Sequence, residues 1–242
     1  QETKYKTIQL SNIHFVYIGS DGYAYGRGSK PDWSCWTGQS SSYSKMTAST
    51  MTGVLGVGDG NRGSYIDRNK RANCYRYANH HNCDGIIISN VLNVKQIVDY
   101  SDHTLFVTEE GDVWGYGNGN YGLMGQGSTS DVDYTSPVKI DLGGPVEKVG
   151  SSDNNQWAIA MMKDGTLKHW GRGWYYSCGQ SSCSDRGKSG NQMGSNIPII
   201  DIGTGRTAID IAVTRQMSGV VLDDGTVKVW GYSTYEQNGQ PG

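Results

Sequence analysis

Phenylalanine, proline and long apolar runs are all scarce in this sequence of 242 residues. It has 2 Phe and 5 Pro, and its apolar runs fall far short of the roughly 20 residues that a bilayer-spanning helix needs. The formal net charge is only −2, so no strong overall field draws the chain to nucleic acid or to a membrane surface. The sequence also has no Asn-x-Ser/Thr sequon, so N-glycosylation is not expected. These absences predict a chain without a membrane span and argue against specific nucleic-acid binding.

Glycine and the amphipathic aromatic residues are abundant instead. The chain has 35 Gly, together with 16 Tyr and 7 Trp, and the glycine share is about twice the usual one. Regularly spaced apolar runs separate the glycines, so this composition indicates many tight turns rather than disorder. Tyr and Trp suit strands that are half exposed and rims that contact other molecules.

The stretch 99–126 contains the unit that organises the rest of the chain. An apolar run at 103–107 leads into the turn Glu110-Gly111, and a second β-rich run follows before a glycine-rich loop. An acidic residue followed by Gly between two such runs is a strong hairpin signal, because Gly reaches positive φ without a Cβ penalty. The same order recurs around three further turn glycines, Gly22, Gly165 and Gly225.

The spacing of the four turn glycines predicts a repeat. They lie 89, 54 and 60 residues apart (111 − 22, 165 − 111, 225 − 165). Intervals of about 50–60 residues suit the units of propellers and solenoids, and the longer first interval indicates a unit that carries an insertion. Further short β-rich segments lie at 94–98, 138–140, 146–149, 197–202 and 208–212. Each unit therefore has about four short strands, and because it cannot bury both faces alone, radial stacking is expected.

The pattern H-T-L-x-x-T-x-x-G-x-V-W-x-x-G-x-x-x-x-G-x-x-G at 103–125 resembles the repeat of the regulator of chromosome condensation family. The run L-D-D-G-T-V-K-V-W-G at 222–231 resembles the same repeat. The resemblance covers nearly the whole chain except roughly residues 40–84. It implies an all-β fold, the seven-bladed β-propeller of that family. About four repeats are visible here, which predicts a ring that is incomplete or is completed by another chain.

We therefore predict a single propeller domain over residues 1–242. Its repeats are expected at 5–38, 91–141, 142–201 and 202–242, with an insertion at 39–90 and a truncated final repeat. A blade without its outer strand leaves an unpaired edge. Residues 232–242 are therefore expected to lie against the N-terminal segment, further chain or another subunit. A chain that begins at Gln1 without a signal segment looks processed or truncated.

Four of the five cysteines form close pairs in predicted loops. Cys74 and Cys83 bracket eight residues, and Cys178 and Cys183 bracket four. Such pairs indicate local disulfides and hence an extracellular, secreted protein. The alternative is unpaired thiols in a reducing compartment. Cys35 is left over, either free or paired with another chain.

The insertion contains a basic and aromatic window. Residues 39–52 are rich in Ser and Thr and residues 53–63 in Gly, so both predict loop. Between 59 and 83 five cations oppose two carboxylates, an excess of three positive charges (5 − 2), with tyrosines interleaved. Cations beside flat rings can hold a phosphate backbone or an anionic glycan; the simpler interpretation is a solvated loop on the propeller rim. The candidate binding residues here are Arg68, Arg71, Tyr75, Arg76 and Tyr77.

Matched loops of two repeats carry a second aromatic group. Trp33 and Trp36 flank Cys35 in the first repeat, and Trp174, Tyr175 and Tyr176 precede Cys178 in the third. Matched loops of a propeller emerge on one face, so these side chains are candidates for an exposed platform that contacts a sugar or a protein. The alternative is that they cap the edges of blades.

Catalytic, metal and cofactor signatures are lacking. His80 and His81 point opposite ways on an extended chain, and no C-x-x-C or H-E-x-x-H spacing supports a metal. The run 59–64 resembles a calcium loop only faintly, since Ser64 stands where the loop needs Gly. His14 and His103 occupy matched repeat positions, which favours a structural role over a catalytic one. We therefore predict no enzyme activity, no metal and no cofactor.

The sequence thus predicts a non-enzymatic extracellular binding or assembly module. It would engage another protein chain, or a second copy of itself, through rim loops and an open blade edge. The alternative is a lectin or polyanion-binding protein that uses the rim aromatics and the basic loop at 62–76.

Overall fold

A computed structural model describes residues 90–100, 102–153, 156–174, 176–180 and 182–232. It also describes residues 70–71 and eight strands that precede residue 90. These earlier strands are β1 (Thr7–Leu10), β2 (His14–Ile18), β3 (Ala24–Gly28), β4 (Ser44–Lys45), β5 (Met51–Gly56), β6 (Arg62–Asp67), β7 (Ala72–Arg76) and β8 (Ile86–Ile87). The later ones are β9 (Val94–Asp99), β10 (His103–Thr108), β11 (Val113–Gly117), β12 (Val138–Ile140), β13 (Val146–Ser151), β14 (Trp157–Met162), β15 (Leu167–Gly171), β16 (Ala208–Val213), β17 (Met217–Leu222) and β18 (Val227–Gly231).

The strands form five antiparallel sheets, so the fold is all-β and built of propeller-type blades, as predicted. The sheet orders are β1-β2-β3-β4, β5-β6-β7-β8, β12-β11-β10-β9, β13-β14-β15 and β16-β17-β18. In the described part of the chain the other regular structure is a pair of 3₁₀ segments, Asn120–Gly122 and Gly194–Asn196. The chain divides into two compact units, Gln1–Phe106 and Val107–Gly242, with the boundary inside β10.

The predicted hairpins are confirmed where the structure describes them. Gly111, Gly165 and Gly225 have φ of +97°, +81° and +82°, the left-handed region that favours glycine. Gly22 lies outside the described residues, although β2 and β3 pair on either side of it. Four of the five predicted β-rich segments are strands. The fifth, 197–202, makes a single bridge between Ile199 and Lys168.

The predicted loop over 39–63 is wrong in part, because the insertion contains a sheet of its own. β5 occupies Met51–Gly56 and pairs with β6, which pairs in turn with β7. Ser64 and Ile66 on β6 are buried, at 0% and 4% exposure. The glycine and serine content suggested loop, but pairing with β6 and β7, which lie further along the chain, outweighed that local preference. The predicted domain and repeat boundaries stay predictions.

The second unit has a core between its last two sheets. Trp157, Ile159, Met161 and Leu167 of β14 and β15 lie in one buried cluster with residues of the following sheet, Ala208, Ile211, Val220 and Leu222. Alternate residues of a strand share a face. One face of the β13–β15 sheet therefore packs against one face of the β16–β18 sheet.

Candidate functional site

The loops that follow β11 and β15 have the same construction. In the first, Gly117 bridges Val132, and the Gly119 N–H donates to Asp131 Oδ1 at 3.0 Å. In the second, the equivalent residues 54 positions later do the same (171 − 117, 173 − 119): Gly171 bridges Arg186, and the Gly173 N–H donates to Asp185 Oδ1 at 2.9 Å. An aspartate at the end of each loop thus fixes the loop's beginning.

Each loop is also held by the next sheet. The Trp170 indole Nε1–H donates to the Leu123 carbonyl in the first loop at 2.8 Å. The Trp230 indole makes the matching bond to the Ser177 carbonyl in the second, at 2.9 Å. Trp170 and Trp230, which occupy equivalent positions in β15 and β18, therefore tie their sheets to the loop of the preceding sheet, and both loops are held in place.

These two loops bring Tyr121, Arg172, Trp174 and Tyr176 to one surface, which we call the rim platform. The Arg172 guanidinium carbon lies 4.3 Å from the Tyr121 ring centroid and 3.9 Å from the Trp174 ring centroid. Both distances are within cation–π range. Tyr121, Arg172 and Trp174 are half-buried, whereas Tyr176 is 55% exposed.

Sequence reasoning found only part of this platform. Trp174 and Tyr176 were predicted, but Arg172 and Tyr121 were missed, although the 54-residue offset between the loops was a usable signal. Asp131 accepts the Gly119 N–H and so belongs to the structure of the loop itself.

The remaining predicted binding residues are not tested by the structure. Arg71 is half-buried, and only the backbone is described for Tyr75 and Arg76 in β7. Five others lie outside the described residues: Trp33, Trp36, Arg68, Tyr77 and Tyr175.

Carboxylates near the platform already have partners. Lys188 Nζ donates to Asp185 Oδ2 at 2.8 Å. Burial tends to raise the pKa of Asp185, but the hydrogen bonds from Lys188 and the Gly173 N–H hold that pKa below its ordinary value. Asp185 is therefore a structural carboxylate that stays ionised at neutral pH.

The cysteine pair of the second loop is bonded in the structure. Cys178 and Cys183 form a disulfide with a Cα–Cα distance of 5.9 Å, an ordinary separation for such a bond. Cys35 and Cys83 lie outside the described residues, and only the backbone is described for Cys74. The proposed Cys74–Cys83 pairing therefore stays a prediction.

A second surface lies on the far side of the β16–β18 sheet. Met217, Val221, Val227 and Val229, which we call the open face, stand 60 positions after Trp157, Met161, Leu167 and His169. Leu167 and His169 are buried at 0% and 3%, whereas Val227 and Val229 are 62% and 44% exposed. Two positions that are buried in one blade are therefore exposed in the following one, where Met217 and Val221 are half-buried.

The turn glycines differ in the same way: Gly111 and Gly165 contact the next sheet, whereas the space beside Gly225 is open among the described residues. The Val146 N–H donates to the Gly111 carbonyl at 2.9 Å, and the Ala208 N–H donates to the Gly165 carbonyl at 2.8 Å. Each turn glycine thus binds the first strand of the next sheet. A Cβ on Gly225 would meet no atom of the described residues within 4 Å.

Sequence comparison agrees with this repeated construction. A model of the regulator of chromosome condensation (RCC1) repeat matches residues 94–123, and a second matches residues 110–156. Residues 94–156 therefore match RCC1 repeats. Similar segments occur in human E3 ubiquitin-protein ligase HERC2, Arabidopsis thaliana ultraviolet-B receptor UVR8 and mouse serine/threonine-protein kinase Nek9. Each of these proteins is matched over only part of its length.

The identities with these relatives are modest and the matches local. HERC2 is 28% identical over 158 residues (64% of this chain, 3% of HERC2), and UVR8 is 26% identical over 151 residues (60% and 32%). Nek9 is 30% identical over 94 residues (38% of this chain and 9% of Nek9). This chain therefore spans at most about a third of these relatives.

Solved structures support the RCC1-type fold along the chain. Human WBSCR16 aligns with a TM-score of 0.74 at 15% identity, covering 99% of this chain and 64% of WBSCR16. Prp20p from Saccharomyces cerevisiae aligns with a TM-score of 0.73 at 18% identity, covering 98% and 59%. Prp20p was described with binding to Gsp1p and histones, and yeast RCC1 (Prp20) was solved bound to Kap60. RCC1-type propellers are typically binding modules.

One group of titratable side chains in the RCC1 repeats is closed to solvent. Asp99 is 8% exposed and accepts the Thr104 hydroxyl at 2.5 Å, and Ser64 also bonds to it. Burial, opposed by these hydrogen bonds, raises the pKa of Asp99 to about 6. His103, 1% exposed, donates from Nδ1 to Asp102 at 2.7 Å. No substrate can reach these buried side chains, so a structural role is favoured for Thr104, His103 and Asp99.

The groove beside β12 offers no better catalytic arrangement. It has a volume of about 540 Å³ and includes Asp112, Lys139 and Asp141 in its lining. Lys139 pairs with Asp112 at 2.8 Å, and Asp141 accepts the Gly143 N–H at 2.8 Å. Both carboxylates therefore serve the local structure of the RCC1 blade.

Metal ligands do not converge in the part of the chain that the structure describes, where no group of three His, Cys, Asp or Glu side chains could hold an ion. His80 and His81 lie outside that part. The same described residues contain no helix long and apolar enough to cross a membrane.

Proposed function

We propose that this RCC1-repeat chain is a non-enzymatic protein-binding module whose open face takes a β-sheet from another protein chain. The observation that carries the proposal is the exposure of Val227 and Val229, at 62% and 44%, where the equivalent residues of the preceding blade are buried. Fully burying a valine side chain is worth roughly 1.5–3 kcal/mol. Covering the open face would therefore stabilise a complex substantially.

The neighbouring junction indicates the chemistry of the partner. At that junction the incoming sheet presents small and branched apolar residues, Ala208, Ile211, Val220 and Leu222. It also donates one backbone N–H, from Ala208, to the carbonyl of a turn glycine. A partner for the open face would offer an apolar sheet face and one N–H to the Gly225 carbonyl, as another RCC1-type blade does. A second copy of this chain is one source of such a sheet.

Light scattering across a concentration series tests this proposal. We expect the chain to self-associate, and we expect Val227→Lys, which places a charge on the open face, to shift it towards monomer. Ile199→Lys is the matched control, because Ile199 is 56% exposed but lies outside the open face. Equal effects of the two substitutions would contradict the proposal, and a chain that stays monomeric up to its solubility limit would rule out a second copy as the source of the sheet.

An extracellular location is the second part of the proposal. It is supported by the bonded pair Cys178–Cys183, since disulfides persist mainly in oxidising compartments. Mass spectrometry of protein isolated under thiol-blocking conditions tests it. The intact disulfide peptide is expected, and alkylated cysteines at both positions would place the protein in a reducing compartment.

A lectin or polyanion-binding function is the alternative, favoured by the aromatic and cationic side chains of the rim platform. Polyanion affinity falls steeply as salt rises, because binding releases counterions. Retention on a heparin column that is lost with added salt, or a defined glycan bound on an array, would favour this alternative over protein binding.

A further inference from the structure

Arg172 is held by aromatic rings rather than by a carboxylate. Its guanidinium carbon lies 4.3 Å from the Tyr121 ring centroid and 3.9 Å from the Trp174 ring centroid. Among the described residues, no Asp or Glu oxygen lies within 4 Å of its nitrogens. Two aromatic rings within cation–π range hold the guanidinium in place, while no carboxylate of the described residues forms an ion pair with its N–H groups.

The nearest carboxylates are committed to the loops themselves. Asp185 is bound by Lys188 and by the Gly173 N–H, and Asp131 is bound by the Gly119 N–H. Asp185 interacts with the charge of Arg172, but its two oxygens bind the Gly173 N–H and Lys188, and no ion pair within 4 Å joins it to Arg172. The guanidinium N–H groups can therefore still donate to an anion from outside the platform.

The platform is already ordered before any partner arrives. The indoles of Trp170 and Trp230 bind the two loops that carry Tyr121, Arg172 and Trp174. A Cβ on Gly122 would lie only 2.2 Å from the backbone nitrogen of Lys188, so the first loop packs tightly against the second. Since the guanidinium is already oriented, little side-chain entropy is lost when it binds an anion.

We propose that Arg172 binds a side-chain carboxylate of an acidic segment in a protein partner. This inference rests on the proposed protein-binding function and adds the chemistry of the partner. A planar guanidinium matches a carboxylate with two parallel hydrogen bonds. The rings of Tyr121 and Trp174 beside Arg172, and the exposed Tyr176 ring in the same loop as Trp174, offer apolar surface for the residues beside that carboxylate, and Arg and Trp are typical interface hot spots.

A carboxylate fits this platform better than a dense polyanion does. The described loop residues 118–132 and 171–190 carry three cations, Arg172, Arg186 and Lys188, against Asp131 and Asp185, a net charge of +1 (3 − 2). One of these cations, Lys188, is already paired. A single guanidinium between aromatic rings suits one carboxylate with apolar neighbours, whereas a phosphate backbone needs a row of cations.

The test is a double-mutant cycle on an immobilised peptide array. The peptides contain Asp or Glu beside Leu or Phe, and each is paired with a version in which the acid is replaced by its amide. The proteins are the wild-type chain, Arg172→Gln, Arg172→Lys and the control Arg215→Gln. Arg215 is exposed and lies in the turn before β17, outside the residues of the two rim loops.

We expect the best acidic peptides to bind at least tenfold more tightly than their amides. Arg172→Gln should remove that preference, and Arg172→Lys should remove most of it, because an ammonium lacks the planar fork. Arg215→Gln should leave it unchanged, and the thermal unfolding of each variant verifies its fold. The proposal is overturned if acid and amide peptides bind alike, if Arg172→Gln weakens both equally, or if only heparin binds.

The outcome is separable from that of the proposed function. Val227→Lys should leave the peptide preference intact, because the open face lies on β17 and β18 and not on the rim loops. Loss of the Arg172 effect while self-association persists would refute only the carboxylate site. Loss of self-association while the Arg172 effect persists would refute only the role of the open face.

Discussion

Replacing Gly165 or Gly225 by alanine imposes the same backbone strain but different packing costs. The two residues have nearly equal φ, +81° and +82°, and a left-handed conformation costs an L-residue about 1–2 kcal/mol. A Cβ on Gly165 would stand 2.6 Å from the Cβ of Thr207 in the next sheet, which a rotation of that side chain cannot relieve. On Gly225 it would meet no described atom within 4 Å.

The magnitudes follow from these contacts. Forcing an extra methyl group into a packed junction costs about 1–3 kcal/mol. Gly225→Ala should therefore destabilise the chain by about 1 kcal/mol, the strain alone, and Gly165→Ala by about 3 kcal/mol. The difference of about 2 kcal/mol corresponds to roughly a thirtyfold change in the unfolding equilibrium.

Urea unfolding followed by tryptophan fluorescence measures both values, provided that the slope against urea is unchanged between variants. The protein must be dilute enough to be monomeric, since a covered open face would change the environment of Gly225. Equal destabilisation by the two substitutions would show that Gly225 is already packed, and the reasoning about the open face would fail. Under self-associating conditions, Gly225→Ala should also weaken association.

Three further predictions concern buried groups. Lys168 is 8% exposed and donates to the Leu142 carbonyl at 2.7 Å. Lys168→Met should therefore lower the free energy of unfolding by about 2 kcal/mol, because that acceptor is left unpaired. Lys228 is the exposed equivalent, and Lys228→Met should change the free energy of unfolding by less than about 0.5 kcal/mol. Burial lowers the pKa of His169 to about 3, so unfolding takes up a proton between pH 6.5 and 3; the stability that His169 contributes is complete above pH 6.5 and falls with pH, by about 2 kcal/mol from pH 7 to 5. His169→Phe should remove that part of the pH dependence in unfolding curves, and an unchanged dependence would contradict it. Trp170→Phe should cost about 1–3 kcal/mol in the same urea assay, because the buried Leu123 carbonyl loses its donor, and a neutral effect would show that the indole bond is not needed.

The pH prediction must be measured as a difference between variants, because a second group acts in the opposite direction. Burial raises the pKa of Asp99 to about 6, so the folded state binds this proton more tightly than the unfolded state does. Its contribution to stability rises as pH falls from 6 towards 3.8, where that of His169 is falling. The pH profile of the wild-type chain alone would therefore understate both effects.

The turn chemistry explains why so much of the strand pattern could be predicted. Hairpins at Gly111, Gly165 and Gly225 follow from local sequence, because few residues other than glycine tolerate positive φ in a tight turn. The strands of the insertion could not be predicted from turn chemistry in this way. Residues 51–56 combine glycines with Thr, Val and Leu, and their pairing with β6 depends on partners that are not adjacent in sequence. Composition alone therefore favoured a loop.

The repeat, its strands and its turns follow from local sequence, since each depends on the conformational preferences of a few neighbouring residues. Which side chains meet depends on the packing of the sheets. Arg172 reaches Tyr121 across 51 residues of sequence, Trp170 binds a carbonyl 47 residues earlier, and Val227 is exposed where Leu167 is buried. These outcomes depend on how one sheet packs against the next, and a strand's own sequence does not record what lies on its other face.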